Sequence, residues 1–260
     1  SMLGGTVSLQ HDLTKNVRGY VSASRGYKGG GFNTGVAVPS ERRQYDPEYL
    51  WNYETGVKGA FLKKRLTTNL AVFHDQRYDQ QLKFAIQNDP SDPLSYTYVT
   101  ESSARGRSTG VELENTYQIL PWLDLFASGA LMHSDFTNVP PEAVYLNGRA
   151  FSVAPAWQYS AGTRIDCGRG FFVRIEETGR DSFYFDDSNN QKSNPYNLFN
   201  GTVGYEKGGW KVLFWSRNLF NQSYAVRGFY FGNEPPNYEN KLYVQRGDPR
   251  AFGATVSYSF

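Results

Sequence analysis

Cysteine occurs once, at Cys167, so this chain of 260 residues can form no internal disulfide and no thiolate metal cluster. Its three histidines, His11, His74 and His133, have no ligand-like spacing, and no metal site is expected. No apolar run approaches the roughly 20 residues of a membrane-spanning helix, which excludes helical spans. Neither sign of charge dominates. The 27 basic and 25 acidic residues are interspersed for a net charge of +2, so no basic stripe recommends nucleic acid as a partner. No composition shift or proline-rich linker divides the chain, which is read as one unit. Its start, SMLGG, lacks the basic-then-apolar order of a secretion signal, so the protein either stays inside or begins further upstream. Chemistry is also missing: no Ser/His/Asp order, paired-carboxylate setting or phosphate loop stands out, and an enzyme is not expected. Asp186, Ser188 and Asn190 imitate a calcium loop only faintly, without its glycine or closing glutamate, and are read as a polar turn.

What is abundant is aromatic and small. Aromatics make up 16% of the chain, with 19 Tyr, 18 Phe and 26 Gly, a composition that favours pleated strands joined by many turns. Alternation of period two is cleanest from Ser152 to Cys167, where Val153, Trp157, Tyr159, Ala161 and Ile165 alternate with Gln158, Ser160, Gly162, Arg164 and Asp166. Phe171, Val173 and Ile175 continue it on one side, Arg174 and Glu176 on the other. Eleven strands are predicted, at about 4–13, 17–32, 48–62, 66–87, 96–119, 123–137, 150–167, 171–187, 195–207, 210–231 and 241–260. Tight turns at 14–16, 63–65, 121–122, 168–170 and 208–209 alternate with longer polar loops at 33–47, 88–95, 138–149, 188–194 and 232–240.

In an antiparallel meander, such alternation puts all tight turns at one end and all long loops at the other, the asymmetry of an outer-membrane barrel. The fold class predicted is therefore all-β, an antiparallel up-and-down transmembrane β-barrel. A barrel in lipid turns apolar side chains outward and polar ones inward. Glu54, Lys58, Glu112, Glu114, Arg164, Arg174 and Glu176 are accordingly predicted to face the lumen, and Tyr20, Trp122, Tyr205, Trp210 and Phe260 are candidates for interfacial girdles. Two competing readings are a passive porin, which shares the turn asymmetry, and a soluble glycan-binding β-protein, which would fold in buffer without detergent. Bacterial single-chain barrels close with an even number of strands, so eleven imply that an odd number precedes them in a longer protein.

The segments SRGYKGGGFN (24–33), YDPEYLWNYETGVKGAF (45–61), LAVFHDQRYD (70–79), RGRSTGVELE (105–114), RNLFNQSY (217–224) and GDPRAFGATVSYSF (247–260) resemble the TonB-dependent outer-membrane receptors, across essentially the whole chain. The resemblance implies a 22-stranded barrel closed by a plug, of which residues 1–260 would be the C-terminal part, without the plug and the first barrel strands. It implies location in the bacterial outer membrane, with outer-membrane lipid around the barrel and a TonB complex engaged through the plug. Lacking that plug, the polypeptide alone is not expected to show energised transport.

Uptake of an iron–siderophore complex or a similarly scarce nutrient would follow, SRGYKGGGFN being most like the siderophore branch. The terminal strand, with Tyr258 and Phe260 on its greasy side, resembles the signal read by the barrel-assembly machinery. Candidate ligand contacts on loops and upper wall are Tyr78, Tyr96, Tyr98, Arg180, Tyr184, Arg227 and Tyr230, because aromatics and cations grip iron chelates. The glycines of YKGGGFN are expected to bend the chain through positive φ, and Asn218 and Asn221 to anchor an interrupted strand. Leu62, Lys63 and Lys64 stand where the family more often has an Asp-containing turn.

Overall fold

The structure is a computed structural model that describes residues 2–260 except 36, 90, 93, 94, 188, 233 and 240. Ser188 of the calcium-like turn and parts of four long loops thus lie outside the described residues. Among the described residues fifteen strands form: β1 (Gly5–Thr14), β2 (Val17–Lys28), β3 (Gly31–Phe32), β4 (Gln44–Tyr45), β5 (Glu48–Phe61), β6 (Leu66–Gln87), β7 (Tyr96–Leu120), β8 (Leu123–Asn138), β9 (Trp157–Gly168), β10 (Phe171–Arg180), β11 (Tyr196–Lys207), β12 (Trp210–Arg217), β13 (Ala225–Phe231), β14 (Lys241–Arg246) and β15 (Ala251–Tyr258). Eleven of them make one antiparallel sheet in the order β1-β2-β5-β6-β7-β8-β9-β10-β11-β12-β15, while β3–β4 and β13–β14 are separate two-stranded ribbons in long loops. The sheet is open, with β1 and β15 at its edges.

The cross-strand register sorts the described side chains of the sheet onto two faces. Rows such as Val57–Leu70–Leu113 and Val203–Phe214–Ala254 build one face, to which Val7, Leu9, Val21, Val72, Val111, Leu131, Ile175, Phe252 and Val256 also belong. These apolar side chains are exposed, Val7 by 78% and Phe214 by 64%. A continuous apolar face of eleven strands far exceeds the patches that soluble monomers expose to water. Two stacked sheets around a dry interior, which a soluble sandwich requires, are not what the chain forms. At the tight-turn end of the apolar face, Trp210 and Tyr258 meet at 4.9 Å, Phe171 and Tyr205 at 4.9 Å, and Tyr258 and Phe260 at 5.1 Å. Tyr20 differs from its girdle assignment: it lies on the polar face, where its hydroxyl donates to Glu54 Oε1 at 2.5 Å.

The polar face carries a repeated contact. Tyr20, Phe73, Phe126, Phe172 and Trp215 are the direct register partners of Gly56, Gly110, Gly162, Gly204 and Gly253. Each ring occupies the space a Cβ on its glycine would need. Every such pair joins the two strands linked by one long loop, so each long hairpin has its own register lock.

The predicted strands differ from the observed ones chiefly at the long-loop end. Residues 150–156 leave the sheet: Val153 has φ 55°, its N–H donates to the Tyr184 carbonyl, and Phe151 packs at 4.8 Å against Phe136. With Leu82, Ala104, Ala143 and Leu146 they form a small core at that end. The strand predicted to reach 187 stops at Arg180, because Phe183 and Phe185 are buried in the following loop rather than paired in the sheet. The predicted strands 210–231 and 241–260 are each broken, at Asn218–Tyr224 and Gly247–Arg250. The glycines of YKGGGFN do end a strand, but not through positive φ. A Cβ at Gly30 would stand 2.5 Å from the Tyr45 carbonyl oxygen, so close approach is what requires glycine there.

Candidate functional site

The register puts Glu54, Lys58, Glu112, Glu114, Arg164, Arg174 and Glu176 on the polar face of the sheet. There the cations stack on the rings that cover the glycines. The Arg174 guanidinium lies 3.9 Å from the Phe126 ring centre, Arg164 3.7 Å from Phe172 and Lys58 5.5 Å from Tyr20. The carboxylates complete the layer. Arg174 pairs with Glu176 at 3.1 Å, and Glu176 accepts from Ser160 at 3.0 Å. Arg164 bridges Asp166 and Glu206, both at 3.3 Å, and Lys211 meets Glu206 at 2.6 Å. Charges so neutralised and hydrogen-bonded form a wettable wall in which Glu112 and Glu114 line a recess, not an acid–base pair.

That recess, about 560 Å³, opens on the polar face toward the long loops and is lined by Glu112, Glu114, Gln158, Arg180, Tyr196 and Tyr224 among others. Of the seven ligand candidates only Arg180 lines it. Tyr196 and Tyr224, whose rings lie 4.6 Å apart, were not singled out from the sequence, although Tyr224 ends the RNLFNQSY segment. A second group gathers above it, where Phe185 packs on Gly228 and brings the loop after β10 onto the β13–β14 ribbon. Tyr184 is gripped there by Arg149 at 3.9 Å and Lys192 at 4.2 Å. Burial, then the nearby Asp186, pushes the Tyr230 phenol up. Its hydroxyl is buried without a hydrogen-bond partner among the described residues. Arg227 is exposed on the same ribbon. The remaining three stand elsewhere: Tyr96 and Tyr98 pack edge to face at 5.3 Å with Lys83 over Tyr98, and Tyr78 carries Arg105 at 5.4 Å.

Arg149 was also missed. It donates to Asn190 Oδ1 at 2.5 Å and to the carbonyls of Asp186 and Asn189, tying the loop after β8 to the loop after β10. Asp186 itself accepts from the Asn189 backbone at 2.7 Å, which holds the polar turn. His11, His74 and His133 fall on the apolar face in β1, β6 and β8; His74 and His133 flank Thr109 of β7 in one cross-strand row, while His11 stands apart in the edge strand.

The two asparagines acquire partners. Asn218 Nδ2 donates to the carbonyls of Gln222 at 2.9 Å and Asp248 at 3.0 Å, while its Oδ1 accepts from Gln222 N at 2.8 Å. Asn221 Oδ1 accepts from Arg250 N at 3.0 Å. Both have left-handed backbone, φ 47° and 54°, a conformation asparagine tolerates better than most residues. They clamp the segments after β12 and before β15 to each other, and the β13–β14 ribbon rises from that clamp.

Comparison with known proteins agrees with this architecture. The family model TonB dependent receptor-like, beta-barrel matches residues 4–219. The pesticin receptor of Yersinia pestis is 24% identical over 235 residues, covering 88% of this chain and 33% of the receptor. Among solved structures, the ferric yersiniabactin uptake receptor of Yersinia pestis superposes with a TM-score of 0.78 at 21% identity, over 99% of this chain and 37% of that one. A siderophore receptor of Acinetobacter baumannii gives 0.72 at 17% identity, over 97% and 35%. The chain thus spans about a third of the length of these relatives. Such relatives are receptors rather than enzymes, and the passive-porin reading is not favoured. The chain belongs to the TonB-dependent receptor-like β-barrel family of the bacterial outer membrane.

Proposed function

We propose that this chain is the C-terminal part of the barrel of an outer-membrane receptor that takes up an iron–siderophore complex. The observation that carries the reading is the opposition of its two faces. An exposed apolar face suits lipid, and a charged, hydrogen-bonded face with a recess suits a wet lumen in which Glu54, Lys58, Glu112, Glu114, Arg164, Arg174 and Glu176 form the wall. Iron chelates are polar, often anionic and rich in π surface. Arg180, Tyr196 and Tyr224 at the recess, with Arg149, Tyr184, Arg227 and Tyr230 above it, offer cations and rings of matching chemistry. Tyr96 and Tyr98 form a second aromatic station beside the β6–β7 loop, and Tyr78 stands apart with Arg105. In this reading a plug outside the present chain couples the barrel to TonB, and Tyr258 and Phe260 are read by the assembly machinery.

The test uses the full-length protein in a receptor-deficient bacterium, with and without TonB. Accumulation of radiolabelled ferric siderophore that requires TonB supports the reading. Accumulation indifferent to TonB, or none with any ferric chelate, overturns it.

A further inference from the structure

A notch interrupts the apolar face near the outer end of the last hairpin. Ile175, Gly201, Ser216 and Phe252 form one cross-strand row, so two small residues sit between two large ones. Val203 and Phe214 bound the notch on one side and Leu219 on the other, leaving an apolar hollow of about 370 Å³. The space is open to its floor, since a Cβ built at Gly201 meets nothing within 4 Å. Ser216 is 9% exposed, and its Oγ has no hydrogen-bond partner among the described residues. A buried hydroxyl left unpaired in a native fold calls for a partner from outside. At the rim, on the same face two residues before Phe252, stands Arg250, exposed, its guanidinium 5.7 Å from the Phe252 ring. Among the described residues Arg250 makes no ion pair.

We infer that this notch is a specific seat for a lipid of the outer leaflet, an anionic phosphorylated glycolipid, with one acyl chain in the hollow and its phosphate on Arg250. The inference rests on the reading that the apolar face meets lipid. An apolar cavity of roughly 150 Å³ already holds a benzene, so the hollow takes a good length of acyl chain. An ester or hydroxyl oxygen of the lipid entering over Ser216 would give its hydroxyl an acceptor. Charge complementarity selects the head group: a cation without a counter-charge borders the groove on the side of the long loops, where head groups lie. A second protein copy is a poor occupant, because so small a hollow offers little of the roughly 1,200–2,000 Å² that stable interfaces bury.

The experiment is native mass spectrometry of the full-length receptor after mild detergent extraction and stepwise delipidation, with barrel folding checked by heat modifiability. Wild type should retain phosphorylated glycolipid. Gly201→Leu, which fills the notch without meeting backbone, should lower its occupancy by about tenfold or more. Arg250→Gln should keep lipid but lose the preference for phosphorylated over uncharged lipid. Wild type retaining no lipid, or both variants retaining it as wild type does, overturns the inference. A spin label at Val7→Cys, in a Cys167→Ser background and distant from the notch, separates the two readings. Lipid-like accessibility there without retained glycolipid sinks the notch alone, whereas water-like accessibility sinks the assignment of the apolar face to lipid as well.

Discussion

The ring of Phe73 lies across Gly110, its direct cross-strand partner, so that a methyl group on Gly110 would stand 2.5 Å from the ring carbon Cζ. The same relationship recurs in each of the five long-loop hairpins of the sheet. Gly110→Ala is therefore expected to destabilise the barrel by about 1–3 kcal/mol, the range for overpacking. Gly201→Ala, with open space above it, should be close to neutral. Urea unfolding of the full-length protein in detergent compares them; equal midpoints for the two variants would show that the glycine–ring contact does not set the register.

Asn218→Ala removes three hydrogen bonds from a 4% exposed side chain and leaves the carbonyls of Gln222 and Asp248 without that donor. A loss of about 1–3 kcal/mol is expected, the cost of leaving buried partners unsatisfied. The damage should be local. Limited proteolysis should cut at 218–224 in the variant faster than in wild type, with the tight-turn end unchanged.

Leu62, Lys63 and Lys64 make one turn from three successive residues at φ 54°, 59° and 68°. Left-handed backbone costs a residue with a Cβ roughly 1–2 kcal/mol. Lys63→Gly and Lys64→Gly should each raise stability, by up to about 1 kcal/mol once the added freedom of the unfolded chain is deducted. A lower unfolding midpoint in both would mean that the lysine side chains matter more than the backbone strain.

In the loop that joins β13 to β14, Glu234 accepts from Lys241 Nζ and from the Tyr243 hydroxyl, the latter at 2.7 Å. The hydrogen bond from Lys241, then that from Tyr243, holds the Glu234 carboxyl below its ordinary 4.5. The same bonds raise Lys241 above 10.5 and Tyr243 above 10.0. A depressed carboxyl stabilises the folded form above its ordinary value and loses that contribution as pH falls through the lower folded value. Raised Lys and Tyr contribute below their ordinary values and lose it as pH rises past them. The protection of the ribbon's amides, each rate taken relative to the intrinsic exchange rate at that pH, should thus be greatest between about pH 5 and pH 9 and smaller on both sides. Glu234→Gln should abolish the acid limb; an unchanged acid limb would assign it to other groups.

Alternation alone made the sheet strands β1, β2, β5, β6, β7 and β8 legible, because each half-buried row leaves a period of two in the sequence, but the β3–β4 ribbon was read as a strand end and a loop. It failed where apolar residues serve a different neighbour. Phe151, Phe183 and Phe185 read as strand residues yet pack in loops at the mouth, and nothing local distinguishes the two uses. The candidate ligand residues were legible only as types. Arg180 reaches the recess while Tyr78, Tyr96 and Tyr98 stand elsewhere, since loop placement depends on contacts such as Phe185 on Gly228, more than forty positions apart.

What the sequence by itself determined is the antiparallel all-β meander, with its tight and long connections and the pairing of an oily face with a wet one. Those features follow from side-chain direction along an extended chain and from turn chemistry, both local. Only the tertiary structure decided which glycine lies under which ring, where Asn218 and Asn221 find their partners, and that Gly201 and Ser216 open a notch between Ile175 and Phe252. Each of these depends on register between strands, and register is fixed by packing across the whole sheet rather than by neighbours in the chain.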